Sequence, residues 1–209
     1  MKPVMAKNDY LTLFRENGAL LEGHFGLTSG RHSPVYLQCA LILQHPLIAR
    51  DLGADLGRRV LEVLSPAGEK GIDLVVSPAV GGIVIGQEVA ASLGARAIFS
   101  ERVDGKMVFR RGFFVNPGER ILAVEDVVTT GGSIRETAQI AAEAGGKVVG
   151  TASIVHRFVD NPVDPTDFPH ASLLQIHAPS FEPDNCPLCR EGIPVEKPGS
   201  RHLPADKGL

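Results

Sequence analysis

Residues 121–133 read ILAVEDVVTTGGS and set three chemistries in a fixed order. The apolar residues Ile121 to Val124 have the length and β-branched content of a strand covered on both faces, and such strands present ligand sites at their carboxyl ends. Glu125 and Asp126 are therefore expected at a strand tip, where carboxylates accept hydrogen bonds from hydroxyls. Val127 and Val128 lead into Thr129, Thr130, Gly131, Gly132 and Ser133, which offer small side chains, hydroxyl donors and open backbone N–H groups ahead of a helix pattern. That loop predicts an anion site at a helix start. Acids beside an anion cradle suit a ligand carrying both a diol and a phosphate, and a ribose 5-phosphate fits: ring hydroxyls on the carboxylates, phosphate on the amides and the helix dipole. A lone Asp-x-x-Thr-Gly would read equally well as an acidic turn capping a helix; the full pattern is more specific. A P-loop needs Gly-Lys-Ser/Thr after its glycines and a dinucleotide fingerprint needs G-x-G-x-x-G, and neither occurs here.

The elements that must position this segment are legible around it. A first helix is expected from Asn8 or Asp9 to Asn17, with Leu11, Phe14 and Leu13 inward and Gly18 ending it. Residues 23–44 mix turn residues with an extended apolar stretch, as a hood beside a main sheet would. Pro46 suits a helix N1 position, and Ile48, Leu52, Leu56, Val60 and Leu64 recur at helical spacing, with Arg50, Asp51, Asp55, Arg58 and Arg59 largely elsewhere on the wheel. Strands over 73–77, 96–100, 120–124 and 148–156 then alternate with helices over 82–93 and 133–144. This order predicts an α/β fold with a mostly parallel central sheet flanked by helices. Residues 101–112, ERVDGKMVFRRG, form a basic, hairpin-like interruption that invites a lid reading. The organisation expected is one domain: helix and hood over 1–45, core over 46–160, and a C-terminal strand with a Pro-rich tail over 161–209. The tail is expected to wrap the surface or fray.

At 209 residues and 44% hydrophobic, the chain suffices for one α/β core. A formal net charge of -3 and a pI near 6.2 leave no electrostatic footprint for nucleic acid or a membrane surface, so small polar metabolites are the expected partners. The start MKPVMAKNDY lacks a signal-peptide core, and no uncharged apolar run approaches the roughly 18 residues of a membrane span. A cytoplasmic location is expected. Cys39 stands alone and Cys186 with Cys189 forms CPLC, which implies no disulfide framework. One C-x-x-C supplies two zinc ligands, and a complete site would need partners such as His170, His177 or a second chain.

The 121–133 segment resembles the phosphoribosyl diphosphate (PRPP) signature of type I phosphoribosyltransferases. GHFGLTSGRHSPVY, SPAVGGIVIG and SIVHR resemble segments of orotate phosphoribosyltransferases in the same order, covering roughly residues 8 to 157. The segment PSFEPDNCPLCREGIPVEKPGS is similar to the tail of one bacterial branch. The resemblance implies the type I fold with a small N-terminal hood, and transfer of a phosphoribosyl group from PRPP to orotate with Mg2+ held mainly by PRPP and no metal bound directly by protein side chains. It implies PRPP contacts from Glu125 through Ser133 and from the backbone of Ala79, Val80, Gly81 and Gly82, where family members often hold a cis peptide. It further implies Arg157 on the orotate carboxylate, with Thr129 touching the base and the ring of Tyr36, or its neighbour Val35, facing it. The better-known branch carries lysines at the positions of Thr28 and Gly81, which this chain lacks, so replacement charge is sought in Arg102, Lys106, Arg110 and Arg111, with catalytic roles expected for Arg102 and Lys106 beside Glu125 and Asp126. A homodimer is implied, its basic loop completing the neighbouring site. Two rivals remain open: a purine or uracil phosphoribosyltransferase, and a PRPP-sensing regulator without turnover.

Overall fold

The computed structural model describes residues 6–27, 29–67, 71–159 and 165–198. Helix α1 (Lys7–Glu16) starts one residue before the expected cap: the Asp9 carboxylate, inside the first turn, accepts the Ala6 N–H at 3.2 Å. Gly18, at φ 66°, turns the chain out of it, and only glycine takes that conformation without strain. Tyr10 and Phe14 are its buried residues, while Leu11 and Leu13 pack at the margin. Strands β1 (Leu20–Gly26) and β2 (His32–Leu37) pair antiparallel as a separate two-stranded sheet, the expected hood. A short helix, α2 (Ala40–Leu43), leads into α3 (Pro46–Leu64), with Pro46 at the first turn. Asp55 is buried on α3, contrary to its expected outward position, because the Tyr10 hydroxyl donates to it at 2.6 Å and Arg58 pairs with it.

The main sheet has the order β5-β4-β3-β6-β7-β8. Its strands are β3 (Leu74–Pro78), β4 (Arg96–Val103), β5 (Lys106–Phe109), β6 (Arg120–Val128), β7 (Lys147–Phe158) and β8 (His170–His177), all parallel neighbours except the antiparallel β4–β5 pair. Helix α4 (Gly82–Leu93) follows β3 and α5 (Gly132–Glu143) follows β6. One apolar cluster joins the sheet to α1, α3 and α4; the second, with Leu74, Val76, Ile121 and Ala123, is covered by Ile134, Ala138 and Ala141 of α5.

Two elements run further than expected. Residues 101–103 extend β4, and Asp104 (φ 49°) with Gly105 (φ 81°) forms a two-residue turn into β5. Asp-Gly with both φ positive is the turn whose twist matches a β-hairpin, so the basic segment begins as a regular sheet edge. Strand β6 continues through Glu125 and Asp126 to Val128, with Glu125 opposite Ser153 of β7. The acids therefore stand within the strand's last turn of pleat, three and two residues before its end, and do not follow it.

The tail wraps. Beyond β8 it passes a short helix, α6 (Pro187–Arg190), and lies against both sides of the hood. Phe181 and His32 exchange backbone hydrogen bonds at 2.8 Å, and on the other strand Gly26 N–H donates to Glu196 O and Glu196 N–H to His24 O at 2.8 and 2.7 Å.

Candidate active site

Successive strand residues face opposite sides of a sheet, and the two acids obey this. Glu125 faces α5 and lines a cavity of about 310 Å3 with Arg102, Val127, Thr129, Thr130, Gly131, Gly132, Ser133 and Glu136. Asp126 faces the other way, toward the turn before α4, where a Cβ on Gly81 would stand 2.6 Å from its Oδ1, and its charge reaches the buried Cys39 thiol. The carboxyl end of β6 thus carries one carboxylate on each face.

The cavity floor is the loop into α5. Gly131, at φ 76°, caps the helix, and a Cβ there would run into the carbonyl oxygen of Pro165, so no other residue fits. No side chain caps the helix, which leaves its first amides to a ligand. Arg135 hydrogen-bonds the Thr130 carbonyl from behind and fixes the loop. Val128 is buried in the α5 cluster, so its side chain serves packing.

Burial holds both acids above the usual carboxylate range. Glu125 is pushed up to about 8, first by desolvation and then by the neighbouring charge of Asp126. Asp126 is raised by desolvation, partly offset by backbone N–H bonds.

On the side of Asp126, β3 ends in a turn with a cis Ala79–Val80 peptide and an exposed Val80 side chain. A Cβ at Gly82 would stand 3.0 Å from the Val124 carbonyl oxygen, so this turn approaches β6 backbone to backbone. Arg157 lies at the matching end of β7, next to His156, which pairs with Val128. Its NH2 group donates to Ser33 Oγ of the hood at 3.2 Å and to Ala178 O at 3.1 Å, whereas its buried Nε–H has no acceptor among the described residues. Tyr36 packs its ring on Phe25, 5.8 Å between centroids. Arg157 and Tyr36 belong to the hood side and line no part of the Glu125 cavity.

Of the four loop cations, Arg102 reaches the cavity, paired to Glu136 at 2.8 Å. Arg111 is held by Glu101 through two bonds of 2.9 and 3.0 Å. Lys106 and Arg110 are exposed, and Lys106 stands beside the hairpin turn. Thr28 lies outside the described residues. Three neighbours of the site escape sequence reasoning: Glu136, Cys39 and Ser33. Glu136 sits one helical turn past Gly132, a spacing that could have revealed it; the other two become neighbours only through the tertiary fold.

Comparison with known proteins agrees with this fold. A family profile described as "Phosphoribosyl transferase domain" matches residues 42–167. The orotate phosphoribosyltransferase of Chlorobium phaeobacteroides (strain DSM 266) is 47% identical over 191 residues, 91% of this chain and 94% of the relative. That of Caldicellulosiruptor bescii is 47% identical over 197 residues, 94% and 99% of the two chains. Among solved structures, orotate phosphoribosyltransferase from Aeropyrum pernix superimposes with a TM-score of 0.60 at 22% identity, over 79% of this chain and 92% of that one. Adenine phosphoribosyltransferase from Thermoanaerobacter pseudethanolicus gives 0.53 at 18%, over 68% and 88%. The solved structures share the fold across different bases, so the fold leaves the base open. Near-half identity over almost the full length of both sequences narrows the assignment, and the chain belongs to the orotate phosphoribosyltransferase family.

Proposed function

We propose that this protein transfers the 5-phosphoribosyl group of PRPP to orotate, forming orotidine 5′-monophosphate and pyrophosphate in the synthesis of UMP. The observation that carries the reading is the end of β6, with Glu125 and the amide loop on one face and Asp126 and the Gly81 turn on the other. A sugar lying across that strand end would have its 5-phosphate on Thr129 to Ser133 and its diphosphate toward the backbone of residues 79–82.

In this reading the base nitrogen attacks C1′ as pyrophosphate leaves, with inversion and no covalent enzyme intermediate. Positive charge builds on the ribose ring and negative charge on the leaving oxygens. Glu125 and Asp126 orient the hydroxyls and, once ionised, favour the ring charge; a loop cation neutralises the leaving group, and Arg102, in the 5-phosphate cavity, leaves that part to Lys106. The orphaned Arg157 Nε–H supports a carboxylate partner, because a guanidinium grips a carboxylate with two adjacent N–H groups. Tyr36 and Thr129 bound the base.

The two carboxylates suit Mg2+, which takes hard oxygen ligands mostly through substrate phosphates, so PRPP would hold the ion with Glu125 and Asp126 supplying negative charge nearby. When bound, it neutralises the diphosphate. The reading includes a cytoplasmic homodimer whose basic hairpin completes the partner's site; Arg102 in its own chain's cavity leaves Lys106, beside the turn, as the residue that reaches across.

Loss of orotate absorbance on mixing protein, Mg2+ and PRPP, with uracil, hypoxanthine and xanthine as competing bases, tests this. Consumption of orotate alone is expected. Consumption of another base in its place, or of none, overturns it.

A further inference from the structure

Outside the Glu125 cavity, four side chains from three separate segments converge: His24 of β1, His32 of β2, and Cys186 and Cys189 of the CPLC turn at α6. One ligand atom from each lies within 4.8 Å of all the others. His24 Nε2 is 3.0 Å from His32 Nδ1, and 3.5 and 3.7 Å from the sulfurs of Cys186 and Cys189; His32 Nδ1 is 3.3 Å from Cys189 Sγ. A tetrahedral zinc ion with ordinary Zn–N and Zn–S bonds separates its ligand atoms by about 3.3 Å for two nitrogens and about 3.6 Å for nitrogen and sulfur. The two rings meet edge to face at 73°, their centroids 4.8 Å apart.

The proton positions point the same way. His24 Nδ1 lies 2.7 Å from the carbonyl oxygen of Ile193, which can only accept, so Nδ1 carries the hydrogen and Nε2 turns a lone pair toward three other groups. Hydrogen bonding serves such a cluster poorly, since one lone pair cannot take donors from His32 and two thiols together. One cation serves all four. The carbonyl on Nδ1 is the outer partner that metal-bound imidazoles regularly have.

We infer that His24, His32, Cys186 and Cys189 bind one structural zinc ion, which pins the C-terminal tail to the hood. Two thiolates and two imidazoles select zinc among the common divalent ions, and four protein ligands leave no open position for catalysis. The site differs from the arrangement expected of the CPLC motif. His170 is engaged by Thr151 and Ser153 at 2.9 and 3.1 Å, and His177 packs on Phe158. His32 immediately precedes Ser33, which accepts from Arg157, so the ion fixes the hood strand that touches that arginine. The inference does not depend on which base the enzyme uses.

The test is metal analysis of the full-length protein purified under reducing conditions from zinc-supplemented cells, followed by chelation and refilling with cobalt(II). One zinc per chain is expected, together with the visible bands of tetrahedral cobalt and a thiolate-to-cobalt charge-transfer band. Cys189→Ser should lose most of the zinc and weaken the charge-transfer band, and His177→Gln should retain both. The cobalt spectrum of the unaltered chain decides the matter even if the variant folds poorly. Metal-free protein that also fails to take up zinc or cobalt after reduction, or octahedral cobalt bands without charge transfer, overturns the proposal.

Discussion

Gly81 and Asp126 occupy one another's space: a single methyl group on residue 81 would stand 2.6 Å from Asp126 Oδ1. The atom in the way is the tip of a side chain that can rotate. Gly81→Ala should therefore turn the carboxylate out of place while costing less than about 1 kcal/mol of stability. The expected loss is about 10- to 100-fold in kcat/KM, or roughly 1.4 to 2.7 kcal/mol of transition-state stabilisation. Steady-state kinetics beside a thermal melt checks it; unchanged kinetics would mean that Asp126 has no part in the reaction.

Glu125 stores a cost of folding. Its carboxyl titrates near 8 when folded, against an ordinary 4.5. Between those values the folded chain holds a proton that the unfolded chain has released, so stability falls as pH rises from about 4.5 to about 8, by up to about 3 kcal/mol at pH 7. Glu125→Gln should remove this slope and raise the urea midpoint at neutral pH while abolishing most activity. A midpoint that depends on pH equally in both proteins contradicts the assignment.

Arg157 has one buried N–H without an acceptor among the described residues and two bonds that hold its plane. Arg157→Ala should raise the KM for orotate at least about tenfold and leave that for PRPP nearly unchanged. Arg157→Lys should recover little, because an ammonium cannot reproduce the two-pronged geometry. Equal effects on both substrates would place the arginine elsewhere in the reaction.

Away from the chemistry, Gly53 of α3 lies against α4, where an added Cβ would meet the Glu88 backbone carbon at 2.7 Å. Backbone cannot swing aside. Gly53→Ala should force the helices apart and lower stability by about 1 to 3 kcal/mol, read as a fall in the urea midpoint without a change in slope.

What was legible in the sequence was local. The span of α4 follows from its apolar content, the glycines before it and Gly94 after it at φ 69°. The small-residue turn into α5 was legible because glycines and hydroxyl residues gather at helix starts. The true end of β6 was hidden, since two acids end an apolar run, and only pairing with β7 keeps Glu125 and Val127 extended. Tyr10 and Asp55 bury a polar pair that hydropathy assigns to solvent. His24 and Cys186, 162 positions apart, share no local signal at all. Periodicity reports what a residue's neighbours in the chain require; it carries no information about partners brought in by the tail.

That tail sets an order of events. Phe181 and Glu196 complete the edges of a hairpin made from residues 20–37, so a ribbon synthesised before the main sheet is closed by chain synthesised after it. Until then a two-stranded ribbon has little stability alone. A chain halted after β8 but before Phe181 consequently holds a finished sheet beneath an unfinished roof.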